Sequence, residues 1–289
     1  MSITQRLANL DIPSVIMLVA ILIALRFVLV RFRFPGAKAI AEIAESLALA
    51  LALVFLLIRP LLVQAFFIPS ESMVPTLLVN DHILVNKFVY RFREPKFGDV
   101  VVFRSPKSAG HYQADYIKRV IGVPGDEVRI TAGYVQVGSI PYYHDDLRMA
   151  LAPKSGDGED CSIKLIPNKV LVDGKPVSNT HVADALRCPG SKVKVVPGVV
   201  YVNGKALNEA YTAEDTDVQY PSELTPKEWV ASDKRGNKVV KIPNGRLLVM
   251  GDNRNRSDDA RRWGLLDRSR MRGKAMFIFF PLSRVRWIH

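Results

Sequence analysis

Cysteine is nearly absent from these 289 residues, with Cys161 and Cys188 the only two. That excludes a disulfide-dense secreted scaffold and any paired CxxC zinc or redox motif. Acid is short as well: 28 Asp+Glu face 40 Lys+Arg, a formal net charge of +12. Glycine and proline stand at 18 each, near average usage, which excludes collagen-like and low-complexity classes. There is no H-E-x-x-H, no P-loop and no G-x-S-x-G elbow, so no metal and no cofactor is expected. Of the five histidines, His82 opens a candidate strand, His111, His144 and His181 lie in polar stretches, and His289 comes last. None stands beside a recognisable catalytic element, and His144-Asp145-Asp146 reads as a solvated loop rather than a weak metal site.

What is present is apolar: 48% of residues are hydrophobic, too many for a disordered polybasic chain. Ile12–Val30 is a run of 19 residues whose only charge is Arg26. As a helix it rises about 28 Å, close to a bilayer's hydrocarbon core, with Arg26 near one end where its stem can reach the headgroups. Ala39–Ile58 carries Glu42 and Glu45 early and ends at Arg59-Pro60. A cleaved signal peptide for the first run is disfavoured, because residues 1–10 hold one positive charge and no small-x-small site follows. A buried core helix is the competing reading of the second. The expectation is a membrane anchor over 1–66, with two spans at about 12–30 and 39–58. Arg31 to Lys38 between them holds three basic and no acidic residues. The positive-inside rule puts this loop in the cytoplasm and everything after residue 60 outside it.

From residue 67 the pattern changes to short β-branched and aromatic runs. His82–Phe88, Asp99–Phe103, Tyr116–Val123, Asp126–Val137, Val199–Leu207, Val239–Met250 and Lys274–Leu282 are predicted strands. Asp173-Gly174 and Asn203-Gly204 each sit between apolar residues, a hairpin signal. The expected fold is mainly β, an antiparallel domain over 67–289, with insertions or long surface loops at about 139–195 and 208–236. Cys161 and Cys188 fall in the first of these. Outside the cytoplasm such a pair favours a disulfide, with two free thiols as the alternative.

Three segments carry chemistry. Ile68-Pro-Ser-Glu-Ser72-Met-Val-Pro-Thr-Leu77 brackets two serines between prolines that fix φ on both sides. It can hold a hydroxyl and nearby N–H groups in one geometry, although alone it could be a simple linker. Asp115-Tyr-Ile-Lys118-Arg-Val-Ile-Gly-Val-Pro-Gly-Asp126 places a lysine among apolar strand residues. Turned inward, Lys118 would lose its charge preference by desolvation and become a base; turned outward, it is an ordinary surface lysine. Gly251 to Gly264 is dense in polar groups and could be only a salt-bridged loop.

In this order behind an anchor, the segments closely resemble the bacterial type I signal peptidases. The resemblance rests on I-P-S-x-S-M-x-P-T-L at 68–77, G-D-V-V-V-F at 98–103, Y-I-K-R-V-I-G-x-P-G-D at 116–126 and G-D-N-R-x-x-S-x-D-x-R-x-W-G at 251–264. It implies a Ser-Lys dyad with Ser72 as nucleophile and Lys118 as general base. It implies an oxyanion hole from Ser70 and the backbone of Ser72, and Ser257 orienting the lysine. Asp259 and Arg261 would form a supporting ion pair, with Arg254 and Arg119 nearby. Phe66, Ile68, Pro69, Tyr116 and Ile117 would line the substrate groove, giving Ala-x-Ala specificity.

Glu71, Asn255, Arg256 and Ala260 depart from the commonest form of the boxes. The implied partners are signal-peptide-bearing preproteins and anionic membrane lipids, with no nucleic acid; a monomer is expected, in the bacterial cytoplasmic membrane. A conjugative-transfer peptidase of the same fold and an inactive membrane-tethered β scaffold are the alternatives. A self-cleaving repressor would need a cytoplasmic chain. Residues 261–289 hold eight basic residues and one acidic around Phe277-Ile-Phe-Phe280 and Trp287, a mixture suited to lying against an anionic bilayer.

Overall fold

A computed structural model of the protein describes residues 12–31, 36–58, 63–110, 114–152 and 161–289. Residues 1–11, 32–35 of the basic loop, Arg59-Pro60 and His111 lie outside the described residues.

The first apolar run forms α1 (Ile12–Arg31), with Pro13 in the first turn where its missing N–H costs nothing. Pro13–Arg31 is the one helix among the described residues long and apolar enough to cross a membrane. The second expected span is divided into α2 (Ala37–Ala52) and a π-helical turn, Leu53–Ile58. Ala37, Ala41, Ala44 and Ala48 are buried along one face of α2, and such small residues let α1 and α2 pack closely. Arg26 departs from the expected course: rather than reaching away, it pairs with Glu45 of α2 at 3.0 Å.

The rest is antiparallel β. The largest sheet runs β1 (Val63–Phe67), β2 (His82–Asn86), β18 (Met271–Phe280), β3 (Val100–Arg104), β4 (Asp115–Gly122), β16 (Arg246–Met250), β17 (Leu266–Asp267), with β19 (Arg286–Trp287) also on β18. A second sheet orders β13 (Lys205–Ala206), β12 (Val199–Val202), β5 (Glu127–Thr131), β15 (Lys238–Lys241) and β14 (Val230–Ser232). Strand β3 explains its own unbroken apolar run. Val101 and Phe103 belong to one buried cluster, shared with the second sheet, and Val100 and Val102 to another with Ile68, Met73 and Ile278. A strand covered on both faces has no reason to alternate.

Three predicted strands are each broken in two, Val199–Leu207 at its own Asn203-Gly204 turn. Asp126–Val137 divides at Gly133, where a Cβ would strike the backbone of Gly198 and the Asp215 carboxylate. Val239–Met250 divides at the Pro243–Gly245 turn. The two hairpin signals hold: Asp173 and Gly174 have φ 49° and 77°, Asn203 and Gly204 φ 52° and 74°, as a type I′ turn requires.

Of the two readings of 139–195, an insertion or a long surface loop, the described residues 139–152 and 161–195 do not form a loop. They form β7 (Ile140–Tyr142), α3 (His144–Leu151), β8 (Ile163–Ile166), β9 (Lys169–Val172), β10 (Lys175–Val177), α4 (Asn179–Ala185) and most of β11 (Val193–Val196). With β6 (Tyr134–Val137) these elements enclose a third core around Leu147, Ile163, Leu165, Val170 and Val182. Cys161 and Cys188 both contribute to it, and both are free. The weighed disulfide is therefore absent; the Cys188 thiol faces the Tyr142 hydroxyl at 3.7 Å instead. His144, expected in a solvated loop, is fully buried at the start of α3 with Nε2 2.9 Å from Asp215 Oδ1.

The basic tail is only partly surface. Ala275 and Ile278 are buried because β18 is a central strand, and Arg261 is buried against Asp259, while Phe280, Leu282, Val285 and Trp287 are exposed.

Candidate active site

Ser72 sits in a single 3-10 turn, Glu71–Met73, between β1 and β2. The turn is pinned from below by Met73 and Leu77, both fully buried with Ile68 in the same cluster. It is pinned from the side by the 251–257 loop. Asn253 N–H donates to the Ser72 carbonyl at 3.1 Å, and Asn253 Nδ2 donates to the Glu71 carbonyl at 3.3 Å. Gly251 allows this approach: a Cβ there would be pressed onto the Ser72 carbonyl oxygen and the Ser257 hydroxyl.

Lys118 lies on β4, next to β3 in register with Val101. Its side chain turns inward and is 4% exposed. Nζ stands 2.7 Å from Ser72 Oγ and 3.0 Å from the Ile117 carbonyl, with the Tyr116 ring 5.4 Å away. Burial drives its pKa from 10.5 down to about 8, against the opposing pull of Asp259, Asp258 and Asp252. Desolvation wins because each of those carboxylates is spoken for elsewhere. Asp259 receives Arg261, Asp252 receives Arg119, and Asp258 is 3.4 Å from the Tyr116 hydroxyl.

Asp259 and Arg261 form a buried two-point ion pair, both contacts at 2.8 Å. Burial alone would raise the Asp259 pKa; the charge and hydrogen bonds of Arg261, with the Gly251 N–H, hold it below the usual carboxylate range. Arg261 also reaches Thr216 Oγ1 and the Arg254 carbonyl. Arg254, 1% exposed, bonds the Gly251 carbonyl and both carboxylate oxygens of Glu209. Ser70 is exposed, its hydroxyl donating to Ser72 Oγ at a long 3.5 Å.

Buried serine, buried amine and a scaffold of internal ion pairs occupy the four sequence boxes at once, and the likeness extends well beyond them. Residues 40–159 and 186–280 match the family described as signal peptidase, peptidase S26. The chain belongs to that family. It is a serine endopeptidase of the signal peptidase I type. The signal peptidase I of Aquifex aeolicus is 33% identical to it over 248 residues, covering 83% of each chain. The signal peptidase I of Leptolyngbya laminosa is 28% identical over 255 residues, 87% of this chain and 83% of that one. A solved signal peptidase I from Enterococcus faecalis is 20% identical and covers 63% of this chain and 97% of that one, with a TM-score of 0.25, too low to bear on the fold. Residues 160–185, which hold β8, β9, β10 and α4, lie outside the family match.

The other expected site residues of this signal peptidase divide. Phe66 and Ile117 pack on the cluster around Ile68, beside the Ser72 turn, and Pro69 is exposed at its rim. Tyr116 points to the opposite face, packing with Phe103 and Trp263 under Lys118. Ser257 is buried but does not bond Lys118, whose acceptors are Ser72 Oγ and the Ile117 carbonyl. Its hydroxyl is buried and accepts or donates no hydrogen bond among the described residues.

Several supporting residues escaped sequence reasoning. Asp252, inside the last box, takes Arg119 at two points and Thr76 as well. Glu209 and Tyr211 come from the stretch read as a loop, Tyr211 with its ring 4.2 Å from the Arg119 guanidinium. A lone Glu or Tyr in a polar stretch carries no pattern that points 45 residues onward to Arg254.

Proposed function

We propose that the protein is a membrane-held peptidase that removes signal peptides from exported preproteins after an Ala-x-Ala-like site, using Ser72 and Lys118. One observation carries this reading: a buried amine with a pKa of about 8 stands 2.7 Å from a buried serine hydroxyl. At pH 7.5 about a quarter of such a lysine is neutral, against about one in a thousand for an ordinary one. Neutral Nζ offers its lone pair to Ser72 O–H and one N–H to the Ile117 carbonyl, the acceptor that orients it.

The chemistry is acyl transfer. Ser72 Oγ attacks the scissile carbonyl carbon as its proton passes to Nζ. The resulting oxyanion accepts hydrogen bonds from the Ser72 N–H and the Ser70 hydroxyl, which is exposed and able to turn toward it. As the C–N bond breaks, protonated Lys118 gives its proton to the leaving amine, the new N-terminus of the mature protein. Water then attacks the ester, losing a proton to the same lysine, and the signal peptide leaves with a carboxyl end. Phe66, Ile68 and Ile117 make a shallow apolar floor on the acyl side, which suits small residues and rejects large ones sterically.

Topologically, α1 crosses the membrane and α2 with its π-turn returns, leaving the basic loop in the cytoplasm and the β domain outside. Reporter fusions at residue 34 and at the C-terminus should report opposite sides; the same side for both would sink the two-span reading. Exposed Phe280, Leu282, Val285 and Trp287, beside Arg286, rest on anionic lipid. Trp287→Ser with Leu282→Ser should weaken binding to anionic vesicles, and unchanged binding would contradict that contact. For the chemistry, an acylating serine probe should add its mass to the peptide containing Ser72 and fail to do so in Lys118→Ala. Labelling elsewhere, or equal labelling of that variant, would overturn the dyad.

A further inference from the structure

Glu71 and Arg256, two of the four departures from the family pattern, meet in space although they are 185 positions apart. Arg256 Nη1 donates to Glu71 Oε2 at 3.1 Å. Glu71 immediately precedes the nucleophile and Arg256 immediately precedes Ser257, so the pair stands at the mouth of the site rather than on a remote surface. Both side chains are within reach of a bound peptide, at 56% exposed for Glu71 and 30% for Arg256.

The nucleophile turn is flanked by β4 on one side and by the 3-10 turn Arg254–Arg256 on the other. The two flanks differ in chemistry. Toward β1 and β4 the partly buried groups are apolar, Phe66 and Ile117 over Ile68. Toward the 254–256 turn stands the charged pair. A peptide lying across Ser72 with small apolar residues on the first flank must carry its other half over the second. That half is the leaving part, the opening residues of the mature protein.

We propose that Glu71 and Arg256 determine which charges this site accepts immediately after the scissile bond; the inference rests on the peptidase reading above. An exposed ion pair contributes little to folding and opens readily. An acidic residue at the start of the mature protein takes Arg256 from Glu71, and a basic one takes Glu71 from Arg256. Each exchange replaces one ion pair with another, so the intact pair admits either charge. With one partner removed, the local charge beside Ser72 shifts by one unit toward the sign of the other and favours substrates of opposite sign.

The test uses the full-length protein in detergent and one preprotein in three forms that differ only in the first mature residue, Ala, Asp or Lys. The readout is the ratio of kcat/KM for the Asp form to that for the Lys form, each referred to the Ala form of the same variant so that a general loss cancels. The wild-type ratio should lie within about threefold of one. Arg256→Gln should shift it about tenfold or more toward Lys, and Glu71→Gln by a similar factor toward Asp, the size a like-charge contact near a protein surface carries. The Glu71→Arg/Arg256→Glu double variant should return it toward the wild-type value. Ratios unmoved in both single variants, or moved in the same direction, would overturn the proposal. If wild type fails to cut even the Ala form, the peptidase reading falls and this inference falls with it.

Discussion

Arg119 and Asp252 face each other as a two-point ion pair, Nε to Oδ1 at 2.8 Å and Nη2 to Oδ2 at 2.7 Å, one residue along β4 from Lys118. Neither is more than 3% exposed. Arg119 also donates to the carbonyls of Gly98 and His289, so it ties the Lys118 strand to the loop that holds Asp252 and Asp259. Removing one member of such a pair leaves a buried charge without its partner, which costs about 3–5 kcal/mol. Asp252→Ala should therefore lower the unfolding free energy by that amount in a denaturant titration. A change below about 1 kcal/mol would mean that the pair is not buried as described.

The lysine pKa makes a signed prediction about pH. Burial lowers it from 10.5 to about 8, and in the proposed dyad Lys118 must be neutral to act. The pH profile of kcat/KM should rise about tenfold per pH unit below 8 and level off above it. A profile that is flat from pH 6 to 9 would exclude Lys118 as the base.

The same shift acts on stability with the opposite consequence for design. Because the folded pKa lies below the unfolded one, the unfolded chain holds the proton more tightly between pH 8 and 10.5. The penalty is present in full below pH 8 and relieved as pH rises through 10.5. A shift of this size corresponds to about 3 kcal/mol. Lys118→Met should gain up to that amount of stability at pH 7 while losing catalysis. A loss of stability would show that the amine is well paired rather than strained by desolvation.

Much of this site is legible along the chain because its chemistry is concentrated in short segments. Ser70, Ser72, Lys118 and the Asp259–Arg261 pair each stand inside one of the four boxes, and it is the joint resemblance of the boxes to one family that picks them out, since each segment alone could be a linker, a surface lysine or a salt-bridged loop. What sequence reasoning lost depends on distance or on context. Glu209 and Tyr211 matter only because β-sheet topology brings them to Arg254 and Arg119. Residues 139–195 look like loop because α3 and α4 have eight and seven residues and the strands three or four. Elements that short show no hydrophobic period, yet together they close a core. The strand 126–137 looks continuous because only the fold reveals that Gly133 lies under Gly198. The Glu71–Arg256 contact is invisible for the same reason: each residue reads alone as a surface charge.

Gly251 is the point at which the Ser72 turn and the 251–257 loop touch. In Gly251→Ala the added methyl must push against the Ser72 carbonyl or the Ser257 hydroxyl. Displacement of a reacting group by about 1 Å can cost 100-fold in rate. The expected outcome is a fall in kcat of that order with little change in KM. An unaffected kcat would show that the turn tolerates movement and that the close approach has no catalytic weight.

The central claim is that Ser72 and Lys118 act as one unit, and cleavage of a preprotein tests it most directly. Wild type, Ser72→Ala, Lys118→Ala and the double variant should be assayed on the same substrate at pH 8.5, where most wild-type Lys118 is neutral. Groups that act as a unit are not additive, so each single variant should lose about a thousandfold or more and the double variant scarcely more than either. Processing at an undiminished rate by Ser72→Ala or by Lys118→Ala would contradict the account.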